Sequence, residues 1–141
     1  MPPDEERGPP GRSETILVVE EDEPLRELTV CILQDPGYRV IEAKDSETAL
    51  NIIQVSQLAI DLVLTDVIIP GKSGVELREQ AKLVRPNLRL FLMSGYVGDL
   101  VALRGGLMLQ RAVLEKPFTR SSLLKKVHSV LRSESAEQQS H

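Results

Sequence analysis

The chain has 141 residues, is 41% apolar and 27% charged, and carries a net charge of −4 at pH 7. That length suits one domain, since domains mostly run to ~100–150 residues, and the composition excludes a wholly disordered chain. The acidic balance and an aromatic content of 3% argue against nucleic acid as a partner, and no apolar run approaches the ~20 residues that span a bilayer.

Residues 1–14 are rich in proline and glycine, lack apolar periodicity, and read as a flexible arm or linker. The first strand is expected at Ile16–Val19. A helical stripe of Leu25, Leu28, Ile32 and Leu33 follows it. Cys31, the single cysteine, lies in that apolar stretch and is expected to be a buried thiol in a reducing cytoplasm. One cysteine and two histidines are too few for a structural zinc site. Strand two is expected at Val40–Ile41, followed by a stripe of Ala49, Ile52, Ile53 and Val55. Strand three at Leu62–Leu64 precedes a weaker stripe of Val75, Leu77, Ala81 and Val84. Strand four at Leu90–Met93 leads into a fourth segment around Asp99–Leu109, where Gly98, Gly105 and Gly106 predict a short or loosened helix. Strand five at Ala112–Leu114 precedes a clear stripe of Leu123, Leu124, Val127, Val130 and Leu131. Residues 133–141 are polar and read as a frayed tail.

Strands one, three and four are continuously apolar, as strands covered on both faces are. Strand then helix, five times over, predicts an α/β fold: a five-stranded parallel, doubly wound sheet with right-handed crossovers, over residues 15–132. In such folds ligands bind outside the carboxyl ends of the strands. Those ends carry Glu20-Glu21-Asp22-Glu23, Thr65-Asp66, Met93-Ser94-Gly95 and Glu115-Lys116-Pro117-Phe118. Crowded acids resist ionising together, and a divalent cation relieves the conflict. An all-oxygen site suits Mg2+ (or Mn2+), with one or two carboxylates, several waters and a phosphate. Taken singly, each residue has an ordinary explanation. The acidic run suits the first turn of a helix, Asp66 and Ser94 suit turns, and Lys116 suits the surface. Four such coincidences on one edge of one sheet are what point to a site.

Residues 15–131 resemble the receiver domain of two-component response regulators, through ILVVEEDEPLRE, LVLTDVIIPGKSG, LFLMSGY and VLEKPF. The last three segments are most similar to receivers at the C-terminus of hybrid sensor histidine kinases. The resemblance implies a flavodoxin-like (βα)5 fold. It implies Asp66 as phosphoacceptor from a kinase phosphohistidine, Ser94 as switch hydroxyl and Lys116 as the contact to the phosphoryl oxygens. It further implies Mg2+ held by Glu20, Glu21, Asp66 and the backbone carbonyl of Ile68, and a cis peptide at Lys116–Pro117. The expected partner is a sensor histidine kinase or histidine phosphotransfer domain, with a second copy of the chain as another and no direct contact to membrane or nucleic acid. The chemistry expected is phosphoacceptance with slow autodephosphorylation, not substrate turnover. With no output domain after Leu131, a stand-alone receiver or the terminal piece of a larger kinase is expected.

Three positions depart from the family pattern. Glu21 stands where an aspartate is usual; it reaches a metal through a water, or Asp22 takes part instead, and the sequence leaves both open. Val113 occupies the place of an aromatic readout residue, and also suits strand five as a core valine. The glycines of the fourth segment are the third departure. Ile68 and Tyr96, expected to flank the phosphoryl group, offer no carboxylate or amide to orient water, so slow self-dephosphorylation is expected. The rival is a degenerate receiver that binds a partner without being phosphorylated. A different enzyme on a similar sheet has less support. The turn after strand one is acidic instead of glycine-rich, and Ile68 replaces the second aspartate of haloacid dehalogenase-type phosphatases.

Overall fold

The computed structural model describes residues 14–55, 57–71, 73–95 and 113–132. The arm, the tail, the fourth helical segment and Tyr96 lie outside the described residues. Five strands, β1 (Thr15–Val19), β2 (Arg39–Ala43), β3 (Leu62–Asp66), β4 (Arg89–Ser94) and β5 (Val113–Glu115), pair in parallel in the order β2-β1-β3-β4-β5. This is the parallel five-stranded sheet expected from the alternating texture. β3, β4 and β5 continue past their apolar runs, because pairing extends to Thr65-Asp66, Ser94 and Glu115, while β1 starts one residue earlier than its run, at Thr15.

Four helices are described: α1 (Glu23–Gln34), α2 (Ser46–Ile53), α3 (Gly74–Val84) and α4 (Arg120–Arg132). Their starts are chemically marked. Asp22 caps α1 by accepting from the Leu25 amide at 3.1 Å, and Asp45 caps α2 by accepting from Thr48 at 2.8 Å. Ser73 and Glu76 form a reciprocal capping box at α3.

Successive side chains of a strand point to opposite faces, and the core divides accordingly. Leu17, Val19, Val63, Leu90 and Leu92 pack with Ala49 and Ile53 of α2 and Leu77 and Ala81 of α3. Ile16, Val18, Leu62, Leu64, Phe91 and Met93 pack with Ile32 and Leu33 of α1 and Leu123 and Val127 of α4. The sheet is therefore covered on both faces, which is why β1, β3 and β4 read as continuous apolar runs. Among the described residues no helix is long and apolar enough to cross a membrane.

Several expectations about burial need correction. Cys31 is exposed, not buried, and Leu28 is 54% exposed. The inward arc of α1 runs through Thr29, Val30, Ile32 and Leu33, so Leu28 and Cys31 face outward, beyond the edge of that arc. Val55 follows the end of α2 and Val84 closes α3; both are exposed, because each lies past the turn that rests on the sheet. Val113 is half-buried against the α2–α3 side of the core.

Candidate functional site

The parallel ladder continues past the strands and draws their carboxyl ends to one edge. Asp66 is in register with Met93, and the Val67 amide donates to the Met93 carbonyl at 3.0 Å. Ser94 is in register with Glu115, and the Lys116 amide donates to the Ser94 carbonyl at 2.7 Å. On the other side the Glu20 amide donates to the Ala43 carbonyl of β2 at 3.0 Å. Backbone pairing alone thus sets Glu20, Asp66, Ser94 and Lys116 at neighbouring strand ends, around the β1/β3 switch point.

The side chains close the cluster. Lys116 Nζ lies 2.6 Å from Asp66 Oδ1 and donates to Glu20 Oε1 at 3.1 Å. The other Glu20 oxygen accepts from the Asp22 amide at 3.0 Å. Glu20, Asp66 and Ser94 are all buried. Burial, and then a hydrogen bond with Glu20, push the Asp66 carboxyl up to about 7; Lys116 opposes this without winning. Burial works against the charge on Lys116, but Asp66 and Glu20 outweigh it and hold the ammonium above its ordinary pKa. The Lys116–Pro117 peptide is cis, as the family resemblance implied.

The remaining expected residues sit around this centre. Glu21 is exposed on the turn after Glu20. Asp22 uses one carboxylate oxygen, Oδ1, to cap α1. The Ile68 side chain is 63% exposed, in the loop that leaves Asp66. Among the described residues no group of three or more acids, histidines or cysteines is placed to hold a metal. The centre therefore unites Glu20, Asp66 and Lys116 directly, with Ser94 one strand away and Glu21 and Ile68 on the rim.

Two contributors were not singled out from the sequence. Arg26 of α1 donates to the Glu20 carbonyl at 2.8 Å and to Glu42 of β2 at 3.0 Å. Gly74, the first residue of α3, packs its Cα against the Asp66 carbonyl and donates its amide to the Val67 carbonyl at 2.5 Å. The second glycine of Pro70-Gly71-Lys72-Ser73-Gly74 was a visible trace of that close approach. Arg26 had no trace beyond lying one turn after the acidic run.

Comparison with known proteins agrees with this geometry. A family model for the response regulator receiver domain matches residues 16–128. The sensor kinase CckA of Brucella abortus is 30% identical over 122 residues, covering 86% of this chain and 13% of CckA. The chain spans 50% and 51% of two transcriptional regulators that it also matches. The crystal structure of the receiver domain from the hybrid histidine kinase CckA superposes with a TM-score of 0.68 at 32% identity, covering 84% of this chain and 99% of that one. The non-phosphorylated HemR receiver domain from Leptospira biflexa gives a TM-score of 0.73 at 30% identity, covering 86% and 96%. With five parallel strands in this order and a family match over most of its length, the chain belongs to the response regulator receiver domains of two-component systems.

Proposed function

We propose that this receiver accepts a phosphoryl group on Asp66 from a phosphohistidine and uses it to switch a protein-interaction surface beside β4 and β5. The observation that carries the reading is a buried carboxyl at the end of a central strand, facing the Lys116 ammonium at 2.6 Å and sharing it with Glu20. One carboxylate oxygen of Asp66 attacks phosphorus, the P–N bond of the phosphohistidine breaks, the imidazole takes up a proton, and an acyl phosphate remains. Phosphoryl transfer asks of a protein mainly in-line positioning and charge neutralisation. Asp66 is the nucleophile, Lys116 pairs with the phosphoryl oxygens, and the Ser94 hydroxyl donates to the new group and draws its loop inward.

The donor set fits a hard divalent cation. Asp66 is buried, and two adjoining carboxyls, Asp66 and Glu20, share the one ammonium of Lys116, leaving an excess of negative charge. Mg2+ needs only one or two carboxylates, so the lack of a third acid at the centre does not disqualify it. Glu20, Glu21, Asp66 and the Ile68 carbonyl would hold it. Bound there, it would neutralise charge on the transferring oxygens. The partner is a sensor histidine kinase or histidine phosphotransfer domain, with homodimerisation as a second interaction. The CckA receiver supports placing residues 15–132 as the receiver of a cytoplasmic hybrid kinase, joined through the arm at 1–14, with 133–141 as a tail.

Beryllofluoride, an acyl-phosphate mimic, tests the reading through backbone amide shifts. Mg2+-dependent shifts centred on Asp66, Ser94 and Lys116 are the expected result. No response at millimolar Mg2+ would transfer support to the second reading, a receiver that binds partners without phosphorylation. The exposed Glu21 in place of an aspartate favours that reading. Lifetime is a separate expectation. Ile68 presents an apolar side chain beside the site and cannot orient an attacking water, so phosphate should persist on the isolated domain for minutes or longer. Loss of label within seconds in a phosphate-release assay would contradict this.

A further inference from the structure

We infer that Arg26 is a positioning residue for the metal-binding turn, an inference that rests on the phosphoacceptor reading above. Glu20 is held at every polar atom. Its amide donates to Ala43 of β2, and its carboxylate accepts from Lys116 and from the Asp22 amide. The last atom, its carbonyl oxygen, accepts from the Arg26 guanidinium at 2.8 Å. The same guanidinium is itself oriented by Glu42, whose Oε1 accepts from Arg26 Nε at 3.0 Å. The Arg26 side chain is 16% exposed, so its bond to the Glu20 carbonyl is partly shielded from water and strengthened by that, whereas Glu42 is 48% exposed and its ion pair with Arg26 lies at the surface. Arg26 is also tied to the turn through its backbone, its amide donating to the Asp22 carbonyl at 2.8 Å. The result is a fork from α1 to β2 that fixes the peptide joining Glu20 to Glu21. Acids on a free turn would drift apart by mutual repulsion, and the fork resists this.

A guanidinium is suited to the task because its donors diverge in a rigid plane, whereas a lysine ammonium is a point charge on a flexible stem. This makes the role separable from simple electrostatics. A positive charge near an acidic pocket repels a cation, so if Arg26 acted by charge alone, its removal would tighten Mg2+ binding and lysine would substitute fully. If Arg26 acts by position, both Arg26→Gln and Arg26→Lys weaken binding, because neither holds both partners at once.

The test is calorimetric Mg2+ titration of the wild-type, Arg26→Gln and Arg26→Lys proteins at low and high salt, with melting temperature and amide spectra alongside. Losing an outer-shell support typically weakens metal affinity by about 10-fold or more, and that is the size expected for both variants. The weakening should persist at high salt, where a charge effect fades. Amides of residues 20–22 should shift in both variants before any metal is added. Arg26→Lys keeps the stem and the charge and guards against loss of folding. Wild-type affinity in Arg26→Lys, or tighter binding in Arg26→Gln, overturns the inference and leaves the phosphoacceptor reading intact. Absence of Mg2+ binding in the wild-type protein overturns both, so the two failures are distinguishable.

Discussion

Asp66→Asn is expected to abolish phosphorylation by a small phosphodonor and, in the same protein, to raise stability above neutral pH. The first effect follows from removing the proposed nucleophile, a loss of roughly 10³-fold or more. The second follows from the Asp66 carboxyl, pushed up to about 7 by burial and by Glu20. An unfolded aspartate titrates near ~3.9, so between about pH 4 and 7 the native chain binds a proton that the unfolded chain has released. The stability attached to that proton is fully present below about pH 4 and is lost as pH rises through 7. The width of that pH window sets an upper limit of ~4 kcal/mol on the effect. Lys116 keeps Glu20 but loses its ionic contact with Asp66 in the variant, so a gain of ~1–3 kcal/mol at pH 8 is expected. Urea melts in chelator should show Asp66→Asn more stable than wild type at pH 8 and the two nearly equal at pH 4. Equal stabilities at pH 8 would mean that the carboxyl ionises without strain and that the site has no excess of negative charge for a cation to relieve.

Gly74→Ala is expected to lower stability by at least ~2–3 kcal/mol and to weaken the beryllofluoride response. Local physics argues the opposite, since alanine is favoured over glycine in a helix by ~1 kcal/mol. The close approach decides the sign. A Cβ at Gly74 would collide with the Asp66 backbone carbonyl and meet Leu92 Cδ2 at 3.0 Å. Backbone does not yield as the end of a flexible side chain does, so α3 must move off the sheet or Asp66 must move. Either displacement shifts Asp66, the proposed nucleophile, relative to Lys116. A urea midpoint at or above wild type would show that α3 relocates freely and that the contact does not position Asp66.

How much of this was legible beforehand depended on range. The strand ends were readable because each is local. An apolar run closing on Thr65-Asp66, on Ser94 or on Lys116-Pro117 says where a strand stops and what chemistry it leaves at its edge. Parallel order then follows from the strand–helix alternation. The two core faces were implied by the continuous apolar runs of β1, β3 and β4, although no run of valines and leucines says which helix covers which face. Cys31 and Leu28 marked the limit of helical periodicity. The stripe is an arc, and a small rotation of α1 about its axis carries residues at its edge into solvent.

The acidic run shows the same limit more sharply. Glu20 and Glu21 look equivalent in sequence, yet Glu20 is 3% exposed and bonded to Lys116, whereas Glu21 is exposed. Strand pairing of Glu20 with β2 turns one side chain inward and its neighbour outward. By itself, then, the sequence determined the layered sheet, the edge where chemistry collects and the residue types present there, because apolar period and turn chemistry are local properties. The tertiary structure alone decided which acid enters the site, that Arg26 joins Glu20 to Glu42, and that Gly74 must be bare. Those outcomes depend on distances between segments whose approach is set by how helices seat on the sheet, and no local pattern encodes that.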